Sequence, residues 1–196
     1  MTSPMPLLTL TVDEYLESEK FSPVRREYLA GHVYAMAGAS AAHNIIALNV
    51  ASRLRAHLRG GPCQVFISDM KLRIESINTF YYPDVMVTCD PEDREDYFKT
   101  QPCLIIEVAS PSTVVIDHRE KLLAYQKIKS LREYILISQD EIKIEVYRRE
   151  QGGRWWEQTL ESEGELQLES VGLKIDLSEV YEGVRLKQPR EMDKDQ

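Results

Sequence analysis

No long apolar run occurs in this chain, and Met1 to Leu10 carry no basic residue, so neither a transmembrane helix nor a signal peptide is expected. A soluble cytoplasmic protein is the expectation. Cysteine is scarce: Cys63, Cys89 and Cys103 form no C-x-x-C pair and leave an odd count, which points to reduced, structural thiols, with Cys103 in an apolar strand. Net positive charge is also lacking. With 24 Lys+Arg against 32 Asp+Glu, the net charge is −8 and the pI about 5.1, which excludes a protein that grips nucleic acid by electrostatics alone. Arg53, Arg55 and Arg59 do lie together on one predicted helix, so a local basic face remains open. No internal repeat, low-complexity linker or domain boundary is visible. The 196 residues, 43% hydrophobic and 29% charged, suffice for one core, expected over residues 1–186, followed by a loose, charged tail at 187–196.

The elements follow from pattern and punctuation. Thr11 with Glu14 three residues on is a capping box that opens a helix from about Val12 to Lys20. Arg26 to Ala37, broken at Ala30-Gly31, reads as a hairpin carrying Glu27 on its first arm. Ser40 caps a helix running to Arg59, stopped by Gly60-Gly61; its apolar stripe passes through Ala47, Val50, Leu54 and Leu58, and one turn back reaches His43. Strands are expected over Gln64 to Ser68 continuing to Ile74, over Phe80 to Thr88, and over Leu104 to Ala109. The polar segment Asp90 to Asp96 between the last two should be a solvated surface loop. Asp117, as cap or first-turn anion, begins a helix to Leu131, with Lys121 on the same face as Ala124, Ile128 and Leu131. A strand at Tyr134 to Ser138, a hairpin of Glu141 to Arg149 with Trp155 to Leu160, and a strand near Leu173 to Leu177 complete the chain. This order fits an α/β sandwich, a mixed central sheet flanked by helices.

Two residues do not fit their strands. Asp84 and Glu107 are acidic side chains among Ile, Val and Met, where an ionised carboxylate carries a desolvation penalty of several kcal/mol unless it is compensated. A divalent cation would compensate both, and two carboxylates from neighbouring strands make half of a Mg²⁺ site. The separation, 107 − 84 = 23 residues, allows a strand, an exposed loop and a return strand, so both can arrive at one level. Lys121 begins the next helix and can overhang them. Removing one of two crowded carboxylates, as in Asp84→Asn, is then expected to stabilise the metal-free protein. Asp69, after the first core strand, Glu27 and His43 are accessory candidates. Their bland alternatives are a turn cap, a solvated hairpin charge and a hydrogen-bonded core histidine. Tyr125, one turn past Lys121, reads as core.

Six segments taken in order, Glu27-Tyr28-Leu29-Ala30-Gly31, Ala35 to Ser40 with His43-Asn44, Ser68-Asp69-Met70, Tyr82-Pro83-Asp84-Val85, Glu107-Val108-Ala109-Ser110-Pro111-Ser112, and Asp117 with Lys121 and Tyr125, resemble the Uma2 family. That family is described as restriction endonucleases within the PD-(D/E)XK nuclease superfamily, and the resemblance spans about residues 11 to 180. It implies a restriction-endonuclease-like αβββαβ core and a divalent-metal-dependent endonuclease acting on DNA, expected as a homodimer. Asp84, Glu107 and the Val108 backbone carbonyl would hold Mg²⁺ or Mn²⁺, and Asp84, Glu107 and Lys121 would be catalytic. The sequence departs from the superfamily where the strand lysine is replaced by Ala109, and Lys121 resembles its relocated substitute. The same departure keeps open a catalytically silent nuclease-like fold that binds DNA or a protein partner. Metal-assisted hydrolysis of a smaller phosphate ester is a third reading.

Overall fold

The computed structural model describes residues 9–110 and 117–186. The Asp117 side chain read as a cap, the Pro111-Ser112 turn and the tail at 187–196 lie outside the described residues. Helix α1 (Val12–Glu19) opens with the expected box: the Thr11 hydroxyl accepts the Glu14 N–H and the Glu14 carboxylate accepts the Thr11 N–H. Strands β1 (Arg26–Leu29) and β2 (His32–Ala35) form an antiparallel hairpin turned at Ala30 (φ 48°) and Gly31 (φ 103°). A Cβ at residue 31 would come within 2.9 Å of the Thr9 Cβ, so only glycine fits this turn.

Helix α2 (Ala41–His57) is capped by the Ser40 hydroxyl, which accepts the His43 N–H, and it buries Ile46, Val50, Ala51 and Leu54. These pack on Val85, Val87, Leu104, Ile106 and Val108, the residues of one face of a six-stranded sheet. That sheet runs β11-β10-β9-β8-β6-β3, with β3 (Gln64–Ile67), β6 (Val85–Thr88), β8 (Pro102–Ala109), β9 (Glu133–Ser138), β10 (Lys143–Arg149) and β11 (Trp155–Glu161). Only the β8–β9 pair is parallel. The opposite face carries Met86, Ile105, Ala109, Tyr134 and Leu136 against a short helix α3 (Leu122–Tyr125). The sequence α2, β3, β6, β8, α3, β9 is the αβββαβ order, with a helix on each face of the sheet. A second sheet, β2-β1-β5-β4-β7, adds β4 (Lys71–Ile74), β5 (Thr79–Tyr81) and β7 (Phe98–Lys99). A β12 (Glu165–Leu168) and β13 (Leu173–Asp176) pair and a short α4 (Leu177–Val180) close the chain.

The two sheets change several expected elements. Gln64 to Ile74 is not one strand: it breaks at Ser68 (φ 28°), where the Asp69 N–H turns back onto the Ile67 carbonyl, and β4 joins the other sheet. Phe80 to Thr88 likewise splits at Tyr82-Pro83-Asp84, where Pro83 has no N–H to give a ladder. Both crossings lie side by side, since the Ser68 N–H donates to the Asp84 carbonyl at 3.1 Å. The chain therefore passes from sheet to sheet twice at one corner, and Asp84 stands there.

The helix expected to reach Leu131 is shorter. A π-helical turn, Asp117–Lys121, leads into α3, which ends at Tyr125. The Arg149 guanidinium donates to the Gln126, Ile128 and Lys129 carbonyls, satisfying groups that a longer helix would have used internally. Asp93, expected to be solvated, is buried and accepts the Thr100 and Gln101 N–H groups. The thiols also differ from expectation, for Cys63 and Cys89 are joined in a disulfide and only Cys103 is free. The Gln64↔Thr88 pairing, carried one step further, sets these two residues directly opposite each other. Among the described residues no helix is long and apolar enough to cross a membrane.

Candidate active site

At the corner between the sheets, Asp84 enters β6. The register Val85↔Ile106, continued by one residue, sets Asp84 opposite Glu107 on β8, where antiparallel partners point to the same face. Asp84 Oδ2 accepts the Val108 N–H at 2.8 Å and lies 3.1 Å from His43 Nε2, which reaches it from the first turn of α2.

Glu107 is only 3% exposed, and its charge is met by two donors on one oxygen. Lys121 Nζ stands 3.1 Å from Glu107 Oε1, and the Tyr125 hydroxyl donates to the same atom at 2.5 Å. Lys121 and Tyr125 are four residues apart, so the π turn and α3 direct both side chains to one face. Lys121 also lies 3.4 Å from Glu27 Oε1 and sits over the Tyr81 ring, 5.7 Å from its centre. Burial first, and then the Glu107 charge, push the Tyr125 hydroxyl well above its usual pKa, so it remains a neutral donor. Behind it the rings of Tyr81, Tyr125, Tyr134 and Tyr147 touch in succession, a rigid backing that fixes where the hydroxyl points.

The structure thus brings Asp84, Glu107, Lys121, Glu27 and His43 into one corner. Asp69 stands apart in its contacts: its carboxylate is held by Arg25 at 2.8 Å and is 73% exposed. Glu27, which sequence pattern alone would leave as a solvated hairpin charge, is partly buried, with its carboxylate 3.4 Å from Lys121 Nζ. Ala109, two residues beyond Glu107, is buried in the aliphatic and aromatic cluster around Tyr125, and no cation issues from that position. Tyr125 is the residue that sequence reading missed; the signal was its i+4 spacing from Lys121, which only matters once Lys121 is known to face a carboxylate.

Buried acids alone do not mark a site. Glu133 is fully buried as well, yet it is fully engaged by Arg148 and by the Glu169 and Ser170 N–H groups, a tie between β9 and the β12 end. In the corner, Lys121 lies between Glu107 and Glu27, at 3.1 and 3.4 Å, and His43 lies 3.1 Å from Asp84, so three acidic side chains gather with a lysine and a histidine. Among the described residues no three His, Cys, Asp or Glu side chains form a ready-made metal cage. The donor set instead suits a small hard cation that takes one or two carboxylates and completes its shell with water and phosphate, the usual Mg²⁺ arrangement.

Tyr125→Phe removes one of the donors on the buried Glu107 oxygen without changing the packed ring. A cost of about 1–3 kcal/mol is expected, a fall of roughly 5 °C in the melting temperature in EDTA. A melt within 1 °C of the parent would mean that the hydroxyl does not hold Glu107.

A sheet of αβββαβ order with acidic side chains at the ends of adjacent strands defines a restriction-endonuclease-like α/β fold. A crystal structure described as a "putative nuclease belonging to DUF820" from Anabaena variabilis shares it, with a TM-score of 0.71 at 18% identity over 88% of this chain and 97% of that one. The chain belongs to the Uma2 family, whose model, described as "Putative restriction endonuclease", matches residues 12–178. Two relatives from Synechocystis sp. agree over most of their lengths. The "Uncharacterized protein slr1290" is 36% identical over 180 residues, 91% of this chain and 95% of the relative. The "Uncharacterized protein sll1609" is 35% identical over 150 residues, 75% of this chain and 84% of the relative.

Proposed function

We propose that this protein is a divalent-metal-dependent endonuclease that hydrolyses DNA phosphodiester bonds at the Asp84–Glu107–Lys121 corner. The observation that supports it most is the pairing of two carboxylates on neighbouring strands with a buried lysine, 3.1 Å from one of them, that arrives from the following helix. Asp84, Glu107 and the Val108 backbone carbonyl would hold Mg²⁺ or Mn²⁺, which when bound lowers the pKa of water and neutralises phosphate charge. The chain's own residues have separable tasks. Tyr125 fixes Glu107 Oε1 and His43 fixes Asp84 Oδ2, so both carboxylates are oriented before substrate arrives. Lys121, held between Glu107 and Glu27, orients the attacking water and stabilises charge that builds on the phosphate oxygens. Cutting both strands of a duplex symmetrically calls for a homodimer.

Two observations favour a second reading, a nuclease-like fold that binds DNA or a protein partner without cleaving: Ala109 where the superfamily carries its strand lysine, and the net charge of −8. The deciding experiment incubates the protein with supercoiled, linear, methylated and branched DNA in Mg²⁺, in Mn²⁺ and in EDTA. Cleavage in metal and none in EDTA supports the enzyme. Binding without cleavage in every condition supports the alternative.

A further inference from the structure

Three cysteines stand in a row across neighbouring strands at the end of the sheet away from Asp84. Cys63 precedes β3, Cys89 follows β6, and Cys103 is the second residue of β8. Cys63 and Cys89 are bonded, and the free Cys103 Sγ lies 3.6 Å from Cys89 Sγ, within donor reach of the Val87 carbonyl at 3.5 Å. A free thiol in contact with one sulfur of a disulfide has the arrangement from which thiol–disulfide exchange proceeds. Chance core packing of one cysteine does not require this: Cys103 is the only free thiol among the described residues, and its sulfur rests on the bonded pair.

We propose that Cys63, Cys89 and Cys103 form a thiol–disulfide exchange site, with Cys103 as the attacking thiol and Cys89 as the shared sulfur. The Cys103 thiol gives its proton to solvent and the thiolate attacks Cys89 Sγ. The Cys89–Cys103 bond forms as the Cys63–Cys89 bond breaks, and Cys63 leaves as a thiolate that takes up a proton. One disulfide and one thiol are present before and after, so no external oxidant or reductant is consumed. The exchange moves a covalent tie. In the first state the edge strand β3 is stapled to β6; in the second, β6 is stapled to β8 and β3 keeps its ladder and its packing but no covalent tie. The far end of β3 leads into Ser68, whose N–H binds the Asp84 carbonyl, so the tie that moves belongs to the strand beside the candidate active site.

Burial pushes the Cys103 thiol up to about 11; the Glu133 charge adds to this and Arg132 opposes it. The thiolate is therefore scarce near neutral pH, and its fraction rises roughly tenfold per pH unit below 11, so exchange should run about a hundredfold faster at pH 9 than at pH 7.

The test maps disulfides in the full chain by acid quench, alkylation with N-ethylmaleimide, non-reducing digestion and mass spectrometry. The parent, Cys63→Ser and Cys103→Ser are each equilibrated with oxidised glutathione at pH 7 and pH 9, and circular dichroism checks that each is folded. Cys63→Ser is expected to form the Cys89–Cys103 bond, faster at pH 9, while Cys103→Ser forms only Cys63–Cys89. Detection of both bonds in the parent, in a ratio independent of protein concentration, supports intramolecular exchange. Folded Cys63→Ser whose Cys89 and Cys103 remain alkylatable, or carry glutathione without joining each other, overturns the proposal. So does a parent in which all three thiols stay free after oxidation.

Discussion

Asp84→Asn is expected to lower metal-supported cleavage of plasmid DNA by about two orders of magnitude or more, since it removes one of the two strand carboxylates at the corner. The change is nearly isosteric, and the Asn carbonyl oxygen can still accept the Val108 N–H, so the loss is not expected to come from unfolding. From sequence alone, relief of carboxylate repulsion should have made this variant more stable without metal. The structure reverses that sign. Asp84 is held by the Val108 N–H and His43, and Glu107 already has Lys121 and Tyr125, so little repulsion remains to be relieved. A loss of about 1 kcal/mol is expected instead, read as a fall of a few degrees in an EDTA melt. A folded Asp84→Asn protein that cleaves like the parent would leave Asp84 a structural residue.

Lys121→Ala should be nearly as damaging to turnover and worse for stability. In the folded protein it is the cation beside Glu107, a carboxylate with 3% exposure, and also meets Glu27. Removing one partner of a buried ion pair typically costs about 3–5 kcal/mol, here a fall of roughly 10 °C in melting temperature without metal. Added Mn²⁺ should recover part of that loss in Lys121→Ala, because a cation at the carboxylates replaces the missing positive charge. Turnover on DNA should fall about a hundredfold with little change in DNA affinity, as expected of a contact made chiefly in the transition state. Lys121→Arg should rescue poorly, because a planar fork does not replace the compact charge that Lys121 places between Glu107, Glu27 and the Tyr81 ring. An Ala variant that cleaves at the parental rate would remove Lys121 from the mechanism and favour a binding-only fold.

Much of the architecture was legible because its signals are local. The Thr11–Glu14 box, the Ser40 cap with its apolar stripe, and the Ala30-Gly31 turn each appear where the residues place them. What was not legible is non-local. Gln64–Ile74 and Phe80–Thr88 look like single strands, since nothing in their alternation says that β3 and β6 pair in one sheet while β4 and β5 pair in another. Ser68 in a left-handed conformation carries no sequence mark, because serine is not a residue that usually signals one. The same crossings decide the site. Asp84 and Glu107 stood out as acids in apolar strands, whereas Glu27, only an accessory candidate, and Tyr125, read as core, took their places once the first was seen to meet Lys121 and the second to donate to Glu107. The disulfide was equally hidden, since a separation of 26 residues between Cys63 and Cys89 does not reveal that they face each other across two strands.

The most direct measurement is anomalous X-ray scattering from crystals soaked in Mn²⁺, with Asp84→Asn crystals treated identically. The account predicts a peak at the sheet corner within coordination distance, about 2.1 Å, of both the Asp84 and Glu107 carboxylates and absent from the variant. A parent crystal with no peak there, or a peak that persists unchanged in Asp84→Asn, would contradict it.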